Sequence, residues 1–433
     1  MIKQHFSVPF DIKSLVTDKL PTVSDLASKE SLHEIYGFQL ENQHALPFYR
    51  LGKKSVEKAQ MQAEGAYAMM IEALTRLFET PALIHEYFDS QVIREHGRYF
   101  IPYAKHTFFK RGMVGQSLCG RFDVAFDPVS ESITGIYEFN GENAGLLFES
   151  TSLQNDLVHL AHGSPDPQLN DWSQLTQDTL GSYCLRSERC IAVIAELEYT
   201  EDTTFAEVMA QHFGAHMKTH LLDAYNSISF EYLNPRKPWM LPDCDDELDA
   251  IYLCLPWDEV LNAFPEGFME WQSWADNVAF LEPAWKWFMS HKGMMAYLTH
   301  LNETDEDFRN RWSAVPVIRT YLQPDVFLSE GKSHVSKPAM GYQSSNIEIY
   351  DEAGGLVLST EGDLLTQERV YQDYVPSGSM DDESRFILSI WMASGSRSTA
   401  TGHPAFASAL CFREFDSEVT DVDSERFIPH IYL

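Results

Sequence analysis

Two neighbouring runs alternate strictly between apolar and polar residues, the two-residue period of a β-strand. In residues 121–127, Phe122, Val124 and Phe126 fall on one face, and Arg121, Asp123 and Ala125 on the other. In residues 136–140, Tyr137 and Phe139 oppose Ile136, Glu138 and Asn140. Asp127-Pro128 and the polar run Ser130-Glu131-Ser132 supply a reversal between them. Pairing the runs with their aromatic faces together gathers Arg121, Asp123, Glu138 and Asn140 into one polar cluster.

The helical period governs residues 53–78, where Val56, Ala59, Ala63, Ala66, Met70, Ala73, Leu74 and Leu77 make one stripe. Pro81 opens a second short helix through Phe88. Further helical patterns cover 146–160, 204–217 and 285–301. The apolar runs 190–195 and 250–256 flank the 204–217 helix. Strand, helix and strand in that order predict a small α/β layer with a parallel sheet. After Pro324, short β-like runs at 334–337, 346–350, 356–360 and 369–374 alternate with turns such as Gly354-Gly355. They predict an antiparallel region, completed by strands at 386–393 and 409–413. The loop 163–167 is a boundary candidate.

At 433 residues the chain exceeds one small core, so two or three packed subdomains are expected. A hydrophobic content of 44%, with 27 Phe, 19 Tyr and 9 Trp, excludes a disordered chain. The 64 acidic residues against 32 basic ones leave a formal charge of −32. That balance argues against nucleic-acid backbones and anionic membranes as partners. It suits a cationic substrate such as a polyamine, or simply solubility. The six cysteines are scattered, without a CxxC pair, as in a reducing compartment. No export signal or membrane-spanning run is visible, so a cytoplasmic location is expected.

Two carboxylates and an amide oxygen in the 121–140 cluster suit Mg²⁺, which prefers hard oxygen ligands. The adjacent arginine can clamp a phosphate or carboxylate through its planar fork. A hairpin with one wet face is the plainer reading of the same spacing. His212, His216 and His220 recur every four residues on the helix expected after Thr204 and offer transition-metal ligands. No acidic or cysteine partner stands near them in sequence, and a histidine stripe is the plainer reading. A phosphate-binding loop ending at Gly331-Lys332-Ser333 fails because Val326 replaces its first glycine. Ser117 lacks the spacing of a nucleophile elbow.

Four later segments change the weight of the hairpin. They are Phe280-Leu-Glu-Pro-Ala-Trp-Lys286 with Ser290-His-Lys292, and Val335-Ser-Lys337-Pro-Ala-Met-Gly341-Tyr-Gln-Ser-Ser-Asn346. The others are Val370-Tyr-Gln372-Asp-Tyr374, and Cys411-Phe-Arg413-Glu414 running on to Arg426-Phe-Ile-Pro-His430. With Arg121-x-Asp123, Glu138-x-Asn140 and Pro256-Trp257-Asp258, this order resembles the synthetase module of the glutathionylspermidine synthase family. The resemblance runs over roughly residues 45–433 and lacks the amidase domain that some members carry upstream.

The resemblance implies an α/β (mixed α+β) chain with an ATP-grasp fold. Its parts are a mainly helical N-terminal part (1–105), the metal-site hairpin and following helix (106–160), a small pre-ATP-grasp-like α/β subdomain (161–280) and the nucleotide-binding part (281–433). It implies ATP and Mg²⁺ as cofactors, with Asp123, Glu138 and Asn140 as the metal ligands. Arg121 then faces the reacting carboxylate and its acyl-phosphate, and Arg413 the transferred phosphoryl group. Lys292 and Lys337 contact ATP phosphates, Gly341 to Ser345 form a closing loop, and Gln372 lines the adenine side. The implied function is an ADP-forming acid–amine ligase joining a peptide or amino-acid carboxylate to an amine, with a polyamine as one option. Its partners are small molecules only, and it is a monomer or homodimer. A catalytically degenerate nucleotide-binding protein and an ATP-dependent phosphotransferase are the alternatives. Departures from the family pattern lie in the loop, where Tyr342 and Ser344 replace arginine and glycine, and at Glu142-Asn143, where Asp-(Thr/Ser) is usual.

Overall fold

The computed structural model describes residues 1–7, 45–162, 168–183, 189–341, 343–364, 368–380, 384–395, 403, 405–420 and 425–433. The 163–167 boundary candidate and Tyr342 lie outside these residues. The alternating runs form strands Cys119–Asp127 and Ser132–Asn140. The expected pairs form, Phe122 opposite Phe139, Arg121 opposite Asn140 and Asp123 opposite Glu138. Register shifts after Asp123 and after Ala125 nevertheless break the strict alternation, so Ile136 joins the core opposite Val124 and Tyr137 turns to the other face. Asp127 shapes the reversal, its carboxylate accepting the backbone N–H groups of Val129 (3.0 Å) and Ser130 (3.1 Å).

The hairpin belongs to a larger antiparallel sheet ordered 426–428, 405–415, 385–394, 119–127, 132–140. Segments 106–160 and 281–433 therefore share one sheet. On one face Phe122, Val124, Phe126, Leu388, Ile390 and Phe412 pack in the same core as helix Lys53–Glu79. The buried residues of that helix include the whole stripe from Val56 to Leu77. The opposite face is apolar at one end, where Cys119, Trp391, Ala409 and Cys411 meet Leu147, Phe148 and Trp172. Its other end carries charge.

A second, fully parallel sheet orders Ala279–Leu281, Ala250–Leu253, Cys190–Ala195 and Lys218–Asp223. Helix Thr200–Gly214 connects its last two strands. The helix stops earlier than the periodicity predicts, so His220 falls on a strand. His212 and His216 are tied instead to Ser173 and Gln177. The histidine stripe therefore does not exist.

A third sheet is antiparallel and orders Thr320–Tyr321, Arg369–Asp373, His334–Pro338, Glu348–Tyr350 and Leu356–Ser359. The helical stretch expected at 285–301 is broken into Lys286–Ser290 and Gly293–Thr304. The break falls at His291, whose extended backbone (φ −68°, ψ 123°) ends the first helix, and Gly293 opens the second where the Tyr87 carbonyl oxygen leaves no room for a Cβ. It leaves Lys292 at the junction, its N–H donating to Ala339 O at 2.8 Å. Among the described residues no helix is long and apolar enough to cross a membrane.

Candidate active site

The charged end of the large sheet opens into a cavity of about 900 Å³ between the three sheets. Arg121, Asp123, Glu138, Asn140, Lys292, Lys337, Gly341, Gln372 and Arg413, all singled out in the sequence, line it. They come from strands and junctions far apart in the chain.

Asp123 sits at the centre and is only 3% exposed. Its Oδ1 accepts from Arg121 Nε (3.0 Å) and Ser389 Oγ (2.7 Å). Its Oδ2 accepts from Arg121 Nη2 (3.1 Å), Asn140 Nδ2 (3.2 Å) and Arg413 Nη2 (2.9 Å). Burial pushes this carboxyl up, but the Arg121 and Arg413 guanidiniums outweigh it and hold the group at about 2. Arg413 also reaches Ser389 (3.2 Å) and Glu425 (3.1 Å). Arg121 continues past Asp123 to the Gly145 carbonyl at 3.0 Å. Gly145 has φ +51°, a left-handed backbone that favours glycine, and the Glu201 carboxylate lies against it.

Glu138 pairs with Lys292 at 3.0 Å, and Lys292 also donates to Gly341 O at 3.2 Å. Burial raises the Glu138 carboxyl, yet Lys292 and Lys337 keep it below its ordinary value. Lys337 is buried on strand His334–Pro338, 5.8 Å from the centre of the Tyr137 ring. Burial, seconded by Lys292, pulls its ammonium down to about 8 against the opposing pull of Glu138. Gln372 donates to Thr320 Oγ1 at 3.0 Å within the antiparallel sheet. In the loop after Gly341, Gln343 and Ser344 take positive φ (49° and 56°), and the Ser344 hydroxyl touches that of Thr420 on the facing wall.

The other end of the cavity is built from residues that no motif in the sequence marks. There the C-terminal ends of the parallel strands and the N-termini of two helices present Glu196, Glu198, Glu201, Asp202 and Glu259. The acidic spacing Glu196-x-Glu198-x-x-Glu201-Asp202 was the available signal. Carboxylates suit helix N-termini through the macrodipole, which explains part of the pattern. Glu142, by contrast, is not in the cavity wall. It is buried beneath it and accepts from Trp257 N–H at 3.0 Å.

Around Asp123 and Glu138, four cations (Arg121, Arg413, Lys292, Lys337) face three carboxylates (Asp123, Glu138, Glu425). Asp373 and Glu418 of the same wall are matched by Arg319 and Arg385. The cavity is thus cationic at one end and acidic at the other, within a chain of formal charge −32.

Burial and Asp258 push the Glu142 carboxyl up to about 8, and burial and Glu201 push Asp202 to about 6. Burial likewise raises Asp258 to about 6. Carboxyls raised on folding bind protons more tightly in the folded state, so stability falls as pH rises through the window from the unfolded values to the folded ones. The melting midpoint is expected to be higher at pH 6 than at pH 8, on the order of a few degrees. Glu142→Gln should flatten that slope between the two pH values, as calorimetry would show.

An antiparallel layer bearing the buried Lys337 and the large sheet bearing Asp123 and Glu138 close on one cleft, as in an ATP-grasp type of fold. Residues 39–433 match the family model described as glutathionylspermidine synthase pre-ATP-grasp, and the chain belongs to that family. Among solved structures it is similar to a glutathione synthetase-like effector from Globodera pallida in its apo form. The TM-score is 0.55 at 11% identity, over 94% of this chain and 96% of that one. At that identity the likeness speaks for the fold.

Proposed function

We propose that the chain is an ATP- and Mg²⁺-dependent acid–amine ligase acting on a small carboxylate and a cationic amine, with polyamines the amine class of choice. The observation that carries this reading is the two-ended cavity. Its cationic surplus suits nucleotide phosphates and a carboxylate, and its acidic end suits an ammonium. Arg121 lies between them, bonded to Asp123 on one side and to the Gly145 carbonyl beside Glu201 on the other.

The carboxylate attacks the γ-phosphorus of ATP, giving an acyl-phosphate and ADP. The amine, having lost a proton, attacks the acyl carbon and phosphate leaves with the C–O bonding pair. Such chemistry depends on positioning and charge neutralisation. Lys292 and Lys337 bind phosphates, Arg413 holds the phosphoryl group in transfer, and Arg121 orients the carboxylate. The donor set for Mg²⁺ fits in kind: Asp123, Glu138 and, with its amide turned, Asn140 supply hard oxygens only. Held by these residues, the ion would supply charge neutralisation to bound phosphate. Both oxygens of Asp123 now accept from arginines, so metal binding and release of those guanidiniums are coupled. The 341–345 loop, in contact with Thr420, excludes water that would hydrolyse the intermediate.

The test is release of ADP and phosphate from MgATP across a matrix of small peptides and polyamines, with product masses recorded. Phosphate release that needs both an acid and an amine, with a product lighter than their sum by one water, supports the ligase. Phosphoryl transfer without free phosphate would favour a phosphotransferase, and nucleotide binding without turnover a degenerate relative. A narrower prediction separates the two ends. Glu201→Gln is expected to raise KM for the amine about tenfold with the Kd for ATP unchanged. An equal loss in ATP affinity would remove the acidic end from amine binding.

A further inference from the structure

At the far end of the parallel sheet the His220 imidazole, misplaced by the sequence reading, meets a different set of neighbours. Cys190 opens strand Cys190–Ala195, and His220 lies on the adjacent strand Lys218–Asp223. The register sets Cys190 opposite Lys218 and Ala192 opposite His220, so Cys190 and His220 share one face. The loop before strand Ala250–Leu253 brings Asp246, whose Oδ2 lies 3.1 Å from His220 Nε2. Ligand atoms of Cys190, His220 and Asp246 all lie within 4.8 Å of one another. Among the described residues this is the one such group of His, Cys and carboxylate side chains. The exposed Cys244 lies outside that group but beside it, its Sγ 3.2 Å from Asp246 Oδ2, so that a side-chain rotation on the loop would bring in a fourth donor.

We propose that Cys190, Cys244, His220 and Asp246 form a structural site for a thiophilic divalent cation, zinc above all. Two sulfurs, an imidazole and a carboxylate are the ligand types and number of a closed tetrahedral zinc site, and the mixed softness disfavours Mg²⁺ or Ca²⁺. In the metal-free form, burial and Asp246 push the Cys190 thiol up to about 11, so it is protonated at neutral pH. Binding replaces each S–H bond with an S–metal bond and releases the proton to solvent. The Lys218 ammonium, now bonded to Asp246, remains as a hydrogen-bond donor to that carboxylate. The site pins two strands and the 241–249 loop. It stands one strand length, about 17 Å, from the acidic end of the cavity, so it acts on stability and takes no part in the chemistry there.

Cobalt(II) titration of the full chain tests this. Expected are one cobalt per chain with a thiolate-to-cobalt charge-transfer band and intense four-coordinate d–d bands. The oxygen donors at Asp123 would give only weak bands and no charge transfer. His220→Gln and Cys244→Ser, both away from the buried core, should each lose the charge-transfer intensity by at least half. Zinc should raise the melting midpoint of the unaltered protein and leave that of His220→Gln unmoved. Absence of charge-transfer bands in the unaltered chain, or bands that survive both substitutions, would overturn the site.

Discussion

In Asp123→Asn, ADP formation is expected to fall by at least about 10³-fold, equivalent to ~4 kcal/mol in the barrier. The carboxylate is the charge that both arginines of the cavity share, at 3.0 Å from Arg121 and 2.9 Å from Arg413. Asparagine keeps the volume but removes the charge, and it turns an NH₂ toward groups that are themselves donors. On the proposed function, one metal ligand and one counter-ion are lost together. Asp123→Ala adds a second cost, because two buried guanidiniums lose their partner. Its unfolding free energy should drop by about 3–5 kcal/mol. Initial rates and urea melts of both variants separate the two effects. Turnover within tenfold of the unaltered chain in Asp123→Asn would remove this carboxylate from metal binding.

Lys286→Ala is expected to cost about 3–5 kcal/mol of unfolding free energy with no change in which substrates are used. The side chain is completely buried. Its ammonium donates to Cys119 O at 3.0 Å and lies 4.5 Å from the centre of the Phe139 ring. Nearby Glu282 accepts from Leu118 N (2.8 Å) and Cys119 N (3.0 Å), fixing the start of the strand that carries Asp123. Burial lowers the Lys286 ammonium and raises the Glu282 carboxyl, while each partner pulls the other back toward its charged form. Truncation leaves the carboxylate uncompensated beside a new cavity. Lys286→Met should cost less, since it keeps the volume, and adding Glu282→Gln to it should recover part of the loss. A loss below about 1 kcal/mol for Lys286→Ala would mean the pair contributes little.

The hairpin was legible because pairing Phe122 with Phe139 sets Asp123 beside Glu138, but the register shifts that exchange the faces of Ile136 and Tyr137 left no trace in the alternation. The Asp123–Arg413 contact spans 290 positions and depends on strand order in the sheet, which no local pattern encodes. Family resemblance supplied what periodicity could not. The break at His291 escaped because both halves are largely buried and continue one helical pattern, while the turn lies in the extended backbone of a single residue. His220 was misplaced because a four-residue spacing looks helical wherever the helix ends. The acidic wall escaped because its carboxylates look like ordinary helix N-terminal charges until Glu259 arrives from a second helix.

The two-ended cavity also bears on what happens after bond formation. A carboxylate and an ammonium are each drawn to their own pole by a full charge. On the proposed function, joining them removes one positive and one negative charge, so each pole holds the amide product less tightly than it held the separate reactant. A polyamine's remaining ammoniums keep part of that hold, and the field that collects the reactants thus weakens its own grip on the product.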